Sequence, residues 1–322
     1  MILLPLFASV GYTGSDHRRH TNLESGDSMD LSITLGFIAR SVAQRPDETA
    51  DAQVRRTALM LKDYGFSHFD YLVPRSEDWA GDAARFREFA EANGVQVHQS
   101  HAPIYRNRTD VPREEVRKAY LLAVDATAAI GAKYMVVHAD ENRLAPGEIY
   151  DSERVVKDQV ELFLPVVERA ARAGIKVACE NVTQSTDEPR SRCSCTAEEL
   201  LGVMEGLNGT SEVRPDNPVG CCWDFGHGRM FYGNESAKAL EKVVPHLLCT
   251  HVHDNRVRDD HQPPFTGKMD WPPLMKVLRD GGYRGNLSLE LHYGRFPERV
   301  LPAYLRFCRA AGEELIRMAT GD

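Results

Sequence analysis

From residue 32 onward, short apolar runs rich in β-branched and aromatic residues alternate with longer stretches whose apolar positions recur every three or four residues. The first kind reads as buried strands and the second as amphipathic helices. Strand-like runs fall at 32–38 (SITLGFI), 68–73 (HFDYLV), 95–101 (VQVHQSH), 133–138 (KYMVVH), 175–180 (IKVACE), 219–224 (VGCCWD), 247–253 (LLCTHVH) and 286–292 (NLSLELH). The helical stretches lie at 48–64, 80–93, 114–130, 151–173, 196–207, 235–245, 271–281 and 297–318. Gly65, Gly94, Gly131, Gly174 and Gly282 stand where five of these stop, the residue type that closes a helix before the next strand.

Such alternation predicts parallel strands joined by right-handed helical crossovers. Eight similar strand–helix units fit a (β/α)₈ barrel better than an open doubly wound sheet, and no GxGxxG follows the first strand. The expected architecture is therefore an α/β protein with one TIM barrel domain over residues 29–322, preceded by a short N-terminal extension, 1–28. Ile2 to Val10 resembles a short signal-peptide core, yet no Lys or Arg precedes it and it is too short to span a bilayer. Residues 11–28 are polar and turn-rich, and Met29 stands just before the first convincing strand as an alternative start.

Composition narrows the function. The chain has 322 residues, 42% hydrophobic and 27% charged, which is ordinary for a globular protein with no membrane segment. A formal charge of −8 gives no basic footprint for nucleic acid, although a local basic rim is compatible with it. Of the seven cysteines, Cys179, Cys221, Cys222 and Cys249 sit inside apolar strand runs and read as reduced core thiols. Cys193 and Cys195 form a CxC with no second pair to complete a zinc knuckle. A reducing, cytoplasmic setting follows.

The chemistry gathers at strand ends. Strands five to eight close in turn on Glu180, Asp224, His251 and Glu290, where a barrel places its active site. Period-two geometry points them inward: Ser288, Glu290 and His292 share one face, Cys249, His251 and His253 another, and Ala178 and Cys222 face with Glu180 and Asp224. Three carboxylates and one imidazole make a hard, oxygen-rich site suited to Mn²⁺, Mg²⁺ or Co²⁺, with Zn²⁺ also admissible. Further donors surround them: His101 and His138 after strands three and four, His227 beyond Asp224, and Asp259 with His261 after strand seven. They are candidates for a second ion or for gripping a polyhydroxylated substrate.

The segments ENV, WDFGH, HVHDN followed by DDH, PPFTGKMDW and SLELH resemble the xylose isomerase-like barrel superfamily, over roughly residues 32–310. That superfamily includes sugar isomerases and epimerases, inosose dehydratases and endonuclease IV-type nucleases. In its ketose 3-epimerases two glutamates, an aspartate and a histidine hold one Mn²⁺, and the matching positions are Glu180, Asp224, His251 and Glu290. The glutamates there also act as acid and base, a histidine matching His227 contacts substrate, and Arg256 or Arg258 is nearest to a substrate-binding arginine. A further substrate-binding glutamate of those epimerases has Thr186 in its place here. The nucleases hold three zinc ions with nine residues, and His101, His138, Glu180, Asp224, His227, His251, Asp259, His261 and Glu290 match that set in order. Against them, this chain has HVHDN where they carry an HLND-type run.

The expected protein is a divalent-metal-dependent isomerase or epimerase acting on a sugar or related polyol ketone through an enediolate. A zinc-dependent abasic-site nuclease and an inosose-type dehydratase are the alternatives. Glu180 and Glu290 are the expected catalytic pair, and His227, Arg256, His101, His138 and Lys268 the expected substrate contacts. Trp223 is expected to pack on a helix and Trp271 to start one. Homo-oligomers are common among similar barrels, which leaves such an assembly open.

Overall fold

Eight parallel strands follow one another in sequence order around a single sheet: β1 (Leu31–Thr34), β2 (His68–Leu72), β3 (Gln96–His101), β4 (Tyr134–His138), β5 (Lys176–Glu180), β6 (Gly220–Asp224), β7 (Leu247–His251) and β8 (Leu287–Leu289). The computed structural model describes residues 29–322 apart from 43–44, 106–109, 142–143, 145–146, 186–187, 211–212, 214–216, 257, 293–295 and 298. The extension expected over 1–28, and Thr186, lie outside the described residues. β1 pairs with both β2 and β8. The ring closes just past the end of β7, where Val252 N donates to Ser288 O (2.7 Å) and Glu290 N to Val252 O (3.1 Å).

Outside the strands lie α2 (Ala50–Asp63), α3 (Trp79–Ala92), α4 (Arg113–Ile130), α5 (Ser152–Arg172), α6 (Ala197–Asn208), α8 (Ser236–Val243), α9 (Trp271–Asp280) and α10 (Leu301–Thr320), one for each helical stretch read from the sequence. Gly131 ends α4 in the left-handed conformation (φ 81°), which a side chain would oppose. The apolar core forms two layers. One lies between strands and helices; the other, inside the barrel, is built from Tyr134, Val136, Ala178, Cys222, Leu248 and Cys249. Trp223 and Trp271 are buried in the outer layer, as read from the sequence. Among the described residues, no helix is long and apolar enough to cross a membrane.

Two short helices depart from the sequence reading. The run expected as strand 32–38 splits, with β1 ending at Thr34 and α1 (Leu35–Ser41) following at once. Leu35, Ile38 and Ala39 are buried at helical spacing, and a seven-residue apolar run does not separate that period from a strand's. The second, α7 (Phe225–Tyr232), starts where Asp224 caps it by accepting from His227 N (2.6 Å). β7 and β8 are also shorter than 247–253 and 286–292. After His251 the backbone turns into an antiparallel bridge between Asp254 and Gln262, and after Leu289 it pairs with Val252 and then with His261.

Candidate metal centre

The capped start of α7 sets the geometry of the mouth. Asp224 spends Oδ1 on the His227 amide, while Oδ2 is buried with no hydrogen-bond partner among the described residues. Asn181, next after Glu180, clamps this corner: its side chain accepts from Asp224 N (2.7 Å) and donates to Asp224 O (2.9 Å). β5 and β6 are thus locked together immediately above their two acidic ends.

Glu180 lies at the centre, 1% exposed. Its Oε2 is 3.2 Å from His101 Nε2, 3.1 Å from His138 Nε2 and 3.2 Å from His251 Nδ1. Its Oε1 is 3.4 Å from His227 Nδ1. Burial opposes its charge, but the surrounding imidazoles, His251 and His138 foremost, hold the carboxyl well below its ordinary range. Glu290 approaches His251 Nδ1 to 3.5 Å and His261 Nδ1 to 3.7 Å through Oε2. Ligand atoms of Glu180, Asp224, His251 and Glu290 all lie within 4.8 Å of one another. The four residues expected from strand ends therefore converge.

Three of the remaining imidazoles, His101, His227 and His261, share one arrangement. Nδ1 of His101 faces Ala102 O (2.7 Å), Nδ1 of His227 faces Asn181 O (2.9 Å), and Nδ1 of His261 faces Glu290 O (2.8 Å). A carbonyl only accepts, so each Nδ1 carries hydrogen and each neutral ring turns the Nε2 lone pair towards a carboxylate. His101 Nε2 faces Glu180, and His227 and His261 Nε2 face Asp259 at 3.5 and 3.1 Å. A lone pair opposed to a carboxylate is repulsive unless a proton or a metal ion stands between them. Protons can fill that role: burial disfavours the charged rings, yet the Asp259 contact and the Glu290 charge raise His261 to about 9, and Asp224 with Asp259 holds His227 well above its ordinary value. The same anchoring of Nδ1 is what orients histidines that ligate metals.

A second group of donors, His227, His253, Asp259 and His261, lies beside the first. His253 was read only as facing inward with His251; it stacks on His261 with ring centroids 3.9 Å apart and reaches Asp224 Oδ1 at 3.0 Å. The signal was its place in HVHDN, and the chain after β7 brings it to the second donor group rather than to Glu180. His261 itself has a left-handed φ of 42°, a strained backbone held next to the site. Asp254 organises the loop that carries it, accepting from Asn255 N (2.8 Å), Met269 N (3.0 Å) and Trp271 Nε1 (3.3 Å).

Below the ligands, Asp70 went unremarked in the sequence, although an acid inside the apolar run HFDYLV was a signal. It is 1% exposed and accepts from Gln99 (2.9 Å), Ser32 (3.3 Å) and Ser288. Desolvation pushes its carboxyl up to about 6.

Above the ligands opens a cavity of about 650 Å³, whose floor includes His101, His138, Glu180, His227, His261 and Glu290. That volume suits a small-molecule ligand. Arg256 and Lys268 are exposed and do not line it; the Arg256 guanidinium lies 3.4 Å from Thr266 O on its own loop. All seven cysteines are buried thiols, and burial pushes Cys193 up to about 12 and Cys195 up to about 11.

A closed eight-stranded barrel with imidazoles and carboxylates gathered at its C-terminal mouth defines a TIM barrel protein with a candidate metal centre. The chain belongs to the xylose isomerase-like TIM barrel family, whose model matches residues 59–311. It is 26% identical over 281 residues to an uncharacterized protein of Sinorhizobium fredii, covering 76% of this chain and 83% of that one. It is 24% identical over 204 residues to an inosose dehydratase of Clostridium perfringens, covering 56% and 65%. Among solved structures, an L-ribulose 3-epimerase superposes with a TM-score of 0.69 at 16% identity, over 90% of this chain and 95% of that one.

Proposed function

We propose that the protein is a divalent-metal-dependent isomerase or epimerase that moves a proton beside the carbonyl of a sugar or related polyol ketone. The observation that carries this reading is the set of imidazoles anchored through Nδ1 and turned through Nε2 onto Glu180 and Asp259 at a small-molecule cavity. Glu180, Asp224, His251 and Glu290 would hold the ion, and the orphaned Asp224 Oδ2 and His251 Nδ1 fit that role. Mn²⁺ is the ion we favour, the donors being mostly carboxylate oxygens; Mg²⁺, Co²⁺ and Zn²⁺ suit the set as well. When bound, a divalent ion supplies Lewis-acid polarisation of a carbonyl oxygen, which acidifies the neighbouring C–H.

The two glutamates are not equivalent. Glu180 Oε2 is ringed by three imidazoles at 3.1–3.2 Å, whereas Glu290 Oε2 meets its nearest imidazoles only at 3.5 and 3.7 Å. Glu290 is therefore the proposed base that takes the proton to give the enediolate and later loses it to solvent, and Glu180, supplied with a proton by one of the imidazoles around it, the proposed partner that delivers one to the enediolate. Return to the same carbon gives an epimer, and return to its neighbour gives an isomer. His227, His101 and His138 are placed to hold substrate oxygens where they do not hold the ion. The buried thiols are in keeping with a cytoplasmic setting, and the cavity with a small-molecule partner.

Incubation of the Mn²⁺-loaded protein with ketoses and inososes in D₂O tests the reading. Deuterium should enter the product at the carbon beside the carbonyl; loss of water instead of epimerisation would assign the dehydratase chemistry named for the Clostridium relative, and no incorporation with any substrate would sink the proposal. One observation favours a second reading, a multi-zinc nuclease: the donors His227, Asp259 and His261 stand together beside the central set. Cleavage of an abasic-site oligonucleotide by the zinc-loaded protein would establish it.

A further inference from the structure

We infer that the substrate carries an anionic group, held at the cavity's rim by Arg40 and Arg75. Both line the same cavity as the metal donors, Arg40 from the end of α1 and Arg75 from the segment after β2. Every histidine lining the cavity belongs to the donor clusters or faces Glu180, so these two arginines are its only uncommitted cations among the described residues. Neither has a carboxylate partner among the described residues, whereas Arg192, elsewhere in the structure, is paired with Asp140 and Arg190 with Glu199.

The Arg75 guanidinium is held in place, and that of Arg40 stands free in solvent beside Phe37. Arg75 lies 4.1 Å over the Tyr105 ring and donates one bond to Ile104 O (2.7 Å), leaving most of its donors unused. Arg40 lies 5.9 Å from the Phe37 ring, and Phe37 in turn packs edge-on against His261 at 5.7 Å. That ring therefore spaces one cation from the metal donors. Stacking limits the conformational entropy a guanidinium loses when it clamps an oxyanion, and its planar fork matches a carboxylate or phosphate. A ligand with its carbonyl end on the floor and an oxyanion at the other end would satisfy both ends of the cavity.

The inference deepens the function proposed above and rests on its placing a polyol in this cavity, but its test needs no turnover. Calorimetric titration of the metal-loaded protein compares D-sorbitol, D-sorbitol 6-phosphate and D-gluconate. An anionic polyol should bind about tenfold or more tightly than sorbitol, with the preference weakening as salt is added. Preference for the phosphate alone assigns a sugar phosphate, and for gluconate alone a sugar acid. Arg40→Gln and Arg75→Gln should each cut the ratio of anionic to neutral affinity about fivefold. Equal affinities, or a preference that survives both substitutions together, overturn the inference. An anion preference in a protein that turns over no sugar would leave it standing while the isomerase reading falls.

Discussion

Glu180 and Glu290 differ in what holds them, and substitution should separate them. Glu180→Gln puts an amide among three imidazole nitrogens and removes the charge that binds the donor groups together, so the variant should lose both turnover and bound metal. Glu290→Gln should lower kcat by about 10²–10⁴-fold, the range expected of a general base, in a protein whose circular dichroism matches the parent. Full activity in Glu290→Gln would remove it from proton transfer. Asp70 tests the barrel floor by pH. Its folded carboxyl is raised from an ordinary 3.8 to about 6, so the unfolded chain ionises freely over a range in which the native state must stay protonated or bear a buried charge. The parent therefore loses stability as pH rises through that window, while an asparagine cannot titrate. The stability of Asp70→Asn relative to the parent should improve between about pH 4 and 6 and level off above, by at most about 3 kcal/mol, at about 1.4 kcal/mol per unit. A pH-independent difference in Tm would show that Asp70 is not shifted. The acids at strand ends were legible because a charge closing an apolar run is conspicuous; Asp70, which lies mid-strand, needed the barrel closed around it before its burial could be seen.

At the scale of elements, the eight strands and their outer helices were legible because each buries one regular face, and period alone separates 2.0 from 3.6 residues over a long enough run. α1 and α7 were not, since each is short and follows its strand without a break. The missed α7 is the costlier omission: its N-terminus explains why Asp224 and His227 are three apart, and why only one Asp224 oxygen is left for an ion. Arg256 and Lys268 illustrate a different limit, because position after a strand does not say whether a loop side chain turns into the cavity or away from it. Within α7, Gly226 permits a close approach that a sequence cannot reveal: a Cβ there would stand 1.9 Å from His253 Cε1. Gly226→Ala should therefore displace the His253 ring, lower stability by about 1–3 kcal/mol as overpacking does, and weaken metal retention at the outer donors. Normal metal content with an unchanged Tm would show that the ring moves aside freely.

For the whole molecule, the donors tie the last turns of six strands, β3 to β8, into one charged knot at the mouth. Without an ion, that knot depends on protons shared between buried imidazoles and carboxylates. An ion that binds the folded barrel and not the unfolded chain adds its binding energy to stability, about 2.7 kcal/mol at a hundred times its dissociation constant. Chelation should thus lower Tm and abolish turnover together, and readdition should restore both. The number of ions decides between chemistries that the fold alone leaves open. Elemental analysis of protein purified without added metal should find about one equivalent of Mn, Co or Mg if Glu180, Asp224, His251 and Glu290 form the working centre. Two to three tightly held zinc ions would mean that His227, Asp259 and His261 are ligands too, and the nuclease reading would displace the isomerase. Protein that takes up no metal on reconstitution, with a Tm indifferent to chelator, would refute both, because the Nε2 lone pairs facing Glu180 and Asp259 would then have to be satisfied by protons alone.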